Sequence, residues 1–348
     1  MKTKGAKVAI CYNPKQISHS GSWAHDWVEY CKQNAIQFEL LDGTMNDLRS
    51  KLSDFTCLLW HFTGFSFTHM LVARNVLFSA KVMGLEVFPD FKEAWHFDDK
   101  IAENYLLESA NASIPSWYVF FNLRDAVKWI KEDASFPLVA KLRKGSGSQN
   151  VKLISDRKAG IRYCRKMFGG GFNCAPSMAF KTSSNIKSAR TMTAFYNRMK
   201  RIPEFIRMRK KATEFPNERG YVFFQEYVPN NGFDLKVVVV GDKLSFVARH
   251  IRKNDFRASG GGDLFYDHGL INKEIIDMAF GISDRLGFQC MGYDFVIDRD
   301  SNYGKIVEIS YGFSNSAIMG AGGYFDRKGN WHDEPLNSPH EILSSLLR

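Results

Sequence analysis

The first hundred residues alternate two kinds of segment, and that alternation restricts the fold more than any other feature of the chain. "KVAICY" (7–12) and "FTCLLWHF" (55–62) are unbroken apolar runs, the pattern of parallel strands buried on both faces. Between them "SWAHDWVEYCKQN" sets Trp23, Trp27, Tyr30 and Cys31 at helical spacing, and "IQFELL" follows as a short strand. "HMLVARNVLFSAKVMG" is a second amphipathic helix, stopped by Gly84, and "LEVFP" is the next strand. Parallel strands need helical crossovers, so residues 1–92 are expected to form a small doubly wound, Rossmann-like α/β domain.

Beyond residue 92 the pattern changes. "DDKIAENYLLESANASIPSWYVF" reads as helix, loop and strand, and "LRDAVKWIKEDASF" as a further amphipathic helix. The later chain is dominated by strands: "YVFFQEYV", "FDLKVVVVGDKLSFVARHI", "YDFVIDRD" and "GKIVEISYGF", with one helix in "INKEIIDMAFGISDRLG". The layout is α/β followed by α+β, without an internal repeat. A chain of 348 residues, 45% of them hydrophobic, fills two or three such domains.

Six cysteines (11, 31, 57, 164, 174, 290) form no CxxC pair, so reduced, buried thiols are expected rather than disulfides or zinc. The apolar run before Asn13-Pro14 is too short for a signal peptide and no later stretch approaches a membrane span, which gives a cytoplasmic location as the expectation. The net charge of +10 is uneven. Residues 157–219 carry sixteen Lys or Arg against Glu204, Glu214 and Glu218, a local balance of +13. Such a segment is either a solvated basic surface or a site for a polyanionic partner, nucleic acid included.

Two hairpins gather the chemistry. In "DLKVVVVGDKLSFVAR" a two-residue Gly241-Asp242 turn sets Val240 opposite Lys243, Lys236 opposite Val247 and Asp234 opposite Arg249. Alternation along the strand then brings Asp234, Lys236 and Arg249 to one surface. In "YDFVIDRDSNYGKIVEIS" a turn centred near Ser301 sets Asp294 opposite Glu308, with Ser310 on the same face. Adjacent carboxylates repel unless a cation or proton lies between them, and hard divalent ions favour oxygen ligands. A third stretch, "PLVAKLRKGSGSQNVKLI" (137–154), reads as strand, glycine–serine loop, strand. It lacks the GK[ST] ending and following helix of a P-loop.

In this order, these features resemble the ATP-grasp superfamily, most closely its RimK-like carboxylate–amine ligase branch, from about residue 64 to 318 apart from the basic segment. The resemblance implies two lobes sandwiching ATP: residues 93–155 as the small lobe, 156–220 as a basic helical insertion, and 221–348 as the C-terminal lobe with the metal strands. It makes Lys100 and Lys141 phosphate contacts, with Gly145, Ser146, Gly147 and Ser148 in the loop closing over the phosphates. Gln225, Glu226, Tyr227 and Val228 in "FFQEYV" look like the adenine hinge. Asp234 would meet the ribose, Lys236 and Arg249 the triphosphate, and Arg257 in "NDFRASGGG" the phosphates or acyl group. "GYDFVI" and "VEIS" match the metal strands, giving Asp294 and Glu308 as ligands of Mg²⁺, or of Mn²⁺ in its place.

The chain departs from the family pattern at Ser310, where the metal strand usually has Asn, and at Ser259, where the related loop has Asn. Asn315 is an alternative to Ser310. The ending "EISYGFSNSAIMGAGGYFDRKGNWHDEP" resembles ATP-grasp proteins associated with bacterial surface-polysaccharide modification. The implied reaction joins an amine to a carboxylate through an acyl phosphate, with ADP released. The ending points to a uronic-acid-type carboxylate on a sugar or glycan. A ligase acting on a nucleic acid or protein, and a nucleotide-binding protein without catalysis, are the rival readings. His61 is read as either a core side chain or part of an acceptor pocket.

Overall fold

In a computed structural model, the structure describes residues 5–12, 22–145, 150–175, 213–251, 256 and 263–348. They fall into two compact units. The first combines residues 1–97, 102–114 and 228–348; the second combines 98–101 and 115–227. The chain thus passes between units at 97/98, 101/102, 114/115 and 227/228, whereas sequence patterning divides it at 92, 155 and 220.

The first unit opens with the expected doubly wound sheet. Strands β1 (Lys7–Cys11), β2 (Gln37–Leu41), β3 (Cys57–Leu59) and β4 (Glu86–Phe88) lie parallel in the order β2-β1-β3-β4. Helices α1 (Trp23–Gln33), α2 (Leu48–Leu52) and α3 (Phe67–Val82) connect them, and α4 (Phe91–Ala94) follows. Ser22 and Ser66 cap α1 and α3 by accepting the His25 and His69 N–H groups. Helix α5 (Lys100–Ser109), the one expected there, begins with two residues of the second unit and continues with residues of the first.

The second unit is built on an antiparallel sheet, β5-β10-β6-β7, from β5 (Trp117–Phe120), β6 (Leu138–Lys141), β7 (Lys152–Ile154) and β10 (Val222–Glu226). Helices α6 (Leu123–Glu132) and α7 (Arg157–Phe168) pack through Ala126, Ile130, Tyr163, Cys164 and Met167 against Val222 and Phe224. Gly160 lets the helices meet, since a Cβ there would stand 2.8 Å from the Ile130 Cδ1. A two-stranded ribbon, β8 (Phe172–Asn173) with β9 (Asn217–Glu218), closes the described part of the basic segment. Residues 176–212 of that segment lie outside the described residues.

The remainder of the first unit is a larger, antiparallel sheet, β15-β14-β11-β12-β16-β17. It comprises β11 (Phe233–Val240), β12 (Lys243–His250), β14 (Cys290–Ile297), β15 (Gly304–Ser310), β16 (Tyr324–Phe325) and β17 (Trp331–His332), with β13 (Leu264–Phe265) beside β12. Helix α8 (Lys273–Leu286) buries Ile275, Ile276, Ala279 and Phe280 among Val237, Phe246 and Phe295 on one face. The other face shares a core with the N-terminal α/β sheet. Val238, Val247, Tyr311 and Ile318 pack there with Val8, Trp27, Leu58 and Phe88. Helices α9 (Asn315–Met319) and α10 (Ser338–Leu346) join that core. Three long-range bonds lock it: Trp23 Nε1 donates to the Phe313 carbonyl (3.1 Å), Trp27 Nε1 to that of Pro339 (3.1 Å), and the Tyr311 hydroxyl to that of Phe62 (2.8 Å). All six cysteines are free and buried, as their spacing implies. Among the described residues no helix is long and apolar enough to cross a membrane.

Candidate active site

The first unit carries one half of the expected site, on β11, β12, β14 and β15. The register matches the counting from the Gly241-Asp242 turn: Val240 pairs with Lys243, Lys236 with Val247 and Asp234 with Arg249. On the other side of β11, Lys236 pairs with Asp294. Four charged side chains therefore share one surface. The Lys236 Nζ lies 2.7 Å from Asp294 Oδ1, and Arg249 Nη2 lies 3.1 Å from the same oxygen. Arg249 also grips Asp234 with both arms of its guanidinium, Nε to Oδ1 at 2.9 Å and Nη2 to Oδ2.

Burial decides how these acids titrate. Asp234 is 2% exposed and its carboxyl is raised by burial, with Arg249 working against the shift. Burial acts in the same sense on Asp294, but Lys236 and Arg249 outweigh it and hold that carboxyl below the usual range. Asp294 is thus the stronger acid of the two. Opposite it across the β14–β15 ladder stands Glu308.

These two oxygen donors fit a hard divalent cation that takes its other ligands from phosphates. Among the described residues no three His, Cys, Asp or Glu side chains gather around one point, so the pair would depend on such additional ligands. The remaining expected metal ligands fit less well. Ser310, opposite Gly292, accepts the Gly312 N–H (3.0 Å) and donates to the Gly312 carbonyl (3.3 Å). Asn315 is fully buried, its amide donating to Asp26 (2.9 Å) and Asn337 (3.2 Å) and its oxygen accepting the Ser338 N–H (3.1 Å). It anchors α1 and α10 and is committed there, away from the role of a substitute ligand.

The second unit carries the lysines. Lys141 ends β6, 7% exposed, with its Nζ 2.6 Å from Gln225 Oε1 on β10. Lys100, 3% exposed, donates from Nζ to the Gly145 carbonyl (3.0 Å) and from its backbone to the Arg143 carbonyl (3.0 Å). Gly145 takes a φ of +130°, open to glycine and strained for other residues, as the chain enters the glycine–serine loop. Glu226 ends β10 and pairs its N–H with the Ser116 carbonyl (2.8 Å). Tyr227 is the last residue of this unit and Val228 the first of the next stretch of the other. Ser146, Gly147 and Ser148, together with Arg257 and Ser259, lie outside the described residues.

Sequence reading missed the network that fixes this lysine. Arg143 bridges Asp99 (2.9 Å) and Glu218 (3.3 Å), its N–H bonds the Tyr221 hydroxyl (2.6 Å), and that hydroxyl donates to Glu218 (2.8 Å). Asp98 accepts the Gly145 N–H (3.0 Å). The Asp98-Asp99 pair immediately before Lys100 was the available signal. His61 stacks on Trp23 (4.5 Å between centroids, 7° between planes) with Nε2 enclosed, and burial pushes its imidazole down to about 3. It is a neutral ring in an aromatic cluster.

No family model matches the chain, and no curated protein matches it. Solved structures do. A RimK-domain ATP-grasp protein from Sphaerobacter thermophilus is 16% identical with a TM-score of 0.54, over 98% of this chain and 99% of that one. An L-amino acid ligase from Bacillus licheniformis is 13% identical with a TM-score of 0.58, over 99% and 74%. D-alanine–D-alanine ligase from Bacillus anthracis, solved with ATP, is 12% identical with a TM-score of 0.56, over 91% and 90%. The expected architecture is therefore the one the chain adopts: it has the ATP-grasp fold.

Proposed function

We propose that the protein is an ATP-dependent carboxylate–amine ligase, forming an amide through an acyl phosphate and releasing ADP. The observation that carries this reading is the opposition of Asp294 and Glu308 beside Lys236 and Arg249, in a chain with the fold of ATP-grasp ligases. A substrate carboxylate oxygen would attack the γ-phosphorus of ATP, and the bond to the ADP oxygen would break. The amine nitrogen would then attack the acyl carbon, expelling phosphate and giving up a proton. Neither step needs a protein nucleophile; both need positioning and neutralisation of negative charge.

In this reading Lys100 and Lys141 meet phosphate oxygens from the second unit, and Gln225 to Val228 hold the adenine. Asp234 meets the ribose while Lys236 and Arg249 turn toward the triphosphate. Asp294 and Glu308 would hold Mg²⁺ or Mn²⁺, and when bound the ion supplies further neutralisation at the phosphates. Arg257 belongs to the proposed catalytic set by resemblance alone. For the acyl donor we propose a uronic-acid-type carboxylate, on the strength of the C-terminal motif; the donor's amine partner is an amino acid or another small amine. Two of the similar structures are named as ligases of amino acids, so both substrate classes belong in the test.

The experiment is ADP release with paired panels of carboxylates (uronic acids, amino acids, short peptides) and amines, with products identified by mass spectrometry. Amide product with stoichiometric ADP supports the proposal. Tight ATP binding without turnover across the panels and across a cell-extract metabolite pool would overturn it in favour of a nucleotide-binding protein.

A further inference from the structure

Fourteen large hydrophobic side chains are exposed among the described residues, and seven of them fall between residues 65 and 95. They are Phe65 (55% exposed), Leu71 (63%), Phe78 (51%), Val82 (74%), Met83 (37%), Phe91 (48%) and Trp95 (38%). Helical geometry brings three of them together. At 100° per residue, Leu71, Phe78 and Val82 lie within about 40° of one another along α3. The next helix, α4, extends the stripe: the Phe78 and Phe91 rings are 5.3 Å apart, and Phe91 and Trp95 are four residues apart on one side. The inward side of α3 is conventional, burying Ala73, Leu77 and Ala80. A helix apolar on both sides is expected to be covered on both.

The charges around this stripe are already answered. The Lys81 Nζ lies 2.9 Å from Glu86 and 3.7 Å from Asp90. Arg74 turns its guanidinium under the stripe to the Ala94 carbonyl (2.7 Å) and the Phe97 carbonyl. Residues 65–95 hold three Lys or Arg and three Asp or Glu, a neutral stretch in a chain of net charge +10. A neutral face adds no net like-charge repulsion when it meets its own image.

We propose that α3 and α4 form a self-association surface and that its occupant is a second copy of this chain, related by a two-fold axis. Full exposure of side chains of this size amounts to roughly 150–250 Å² each. With all seven in the contact, these exposures correspond to at most about 700 Å² per copy and about 1,400 Å² for a pair, within the standard range for specific interfaces. A single monomer seldom shows so large an apolar patch without using it. The stripe also suits an isologous contact, in which one patch must be complementary to itself. With α3 antiparallel to its image and the axis near Asn75 and Phe78, Leu71 of one copy lies opposite Val82 of the other.

Sedimentation equilibrium over a concentration series tests this directly. The full chain is expected to pass to twice its 39.8 kDa monomer mass. Phe78→Asp is expected to weaken dimerisation roughly a hundredfold or more, as at a central interface position, without altering ATP turnover. Because Phe78 is half exposed, this substitution leaves the core of each copy intact. The pairing makes a second demand: Leu71→Lys is monomeric, and Leu71→Lys combined with Val82→Glu regains the dimer. A chain that stays monomeric throughout the series overturns the proposal. So does a dimer that Phe78→Asp leaves unchanged, and so does a monomer that floats with neutral phosphatidylcholine vesicles and loses that binding on Phe78→Asp.

Discussion

Asp294 stands opposite Glu308 because the β14–β15 ladder slips by one residue. From the turn, Ile297 pairs with Gly304, Val296 with Lys305 and Phe295 with Ile306. A regular continuation would set Asp294 against Val307. A bulge between Asp294 and Phe295 passes over Val307 and brings in Glu308 instead. Without it, directly opposed side chains sharing a face, Asp294 would meet an apolar group. The bulge converts an ordinary hairpin into a pair of opposed carboxylates.

Loss of either acid separates a metal role from a packing role. Asp294→Asn and Glu308→Gln keep shape and remove charge, and each is expected to lower ADP-forming turnover about a hundredfold or more. At Asp294 the change also leaves the Lys236 ammonium and one arm of Arg249 facing a neutral amide, so a clear loss of thermal stability accompanies it. Glu308→Gln isolates the catalytic effect. Initial rates at varied Mg²⁺ check both; a Glu308→Gln enzyme with unchanged turnover and unchanged Mg²⁺ dependence would remove Glu308 from the site.

Ser310 gives the opposite expectation. Its hydroxyl closes a small turn with the Gly312 N–H and carbonyl. Ser310→Ala removes those bonds, worth about 1 kcal/mol of stability, and leaves turnover within about threefold. A fall comparable to that of Glu308→Gln would return Ser310 to the metal ligands.

Local rules made much of this legible. The Gly241-Asp242 turn fixes eight successive pairs of one hairpin, so Asp234 facing Arg249 follows from counting. The Asp294–Glu308 pairing also came from counting, about a centre at Ser301. The ladder nearest the turn is centred half a residue earlier, and the bulge restores the agreement. What counting could not supply is contact between distant segments. The Arg143 partners Asp99 and Glu218 are 44 and 75 residues away, and Asn315 meets Asp26 across 289. Such bonds depend on how whole elements pack, so Asn315 read as a loop residue when it is a buried tie.

The Arg143 bridge yields a prediction about nucleotide affinity. One guanidinium is shared between Asp99, next to Lys100, and Glu218, which also holds Tyr221. Arg143→Ala is expected to raise the KM for ATP about tenfold with a smaller change in kcat, the mark of lost ground-state positioning. Arg143→Lys does not restore it, because a single ammonium cannot span two carboxylates as a planar fork does. Equal losses in kcat and kcat/KM, with KM unchanged, would contradict the assignment.

Glu93 sets a pH dependence of folding that does not involve the site. It is fully buried on α4, where Oε1 accepts the Gln289 N–H and Oε2 is enclosed without a partner. Burial pushes its carboxyl from 4.5 up to about 7, against the hydrogen bond from Gln289. For an acid with a raised pKa in the folded state, the folded form binds more protons than the unfolded one through this window. Stability is therefore complete below about 4.5 and declines as pH rises through about 7. The full decline amounts to about 3 kcal/mol. Glu93→Gln keeps the acceptor for Gln289 and cannot ionise, so its stability should not share this decline. Urea midpoints of both proteins across the window isolate the effect, since every other titrating group is common to the two. The difference between them should grow in favour of Glu93→Gln as pH rises; parallel curves would mean that Glu93 ionises in the folded chain as readily as in the unfolded one, through a cation or water reaching Oε2.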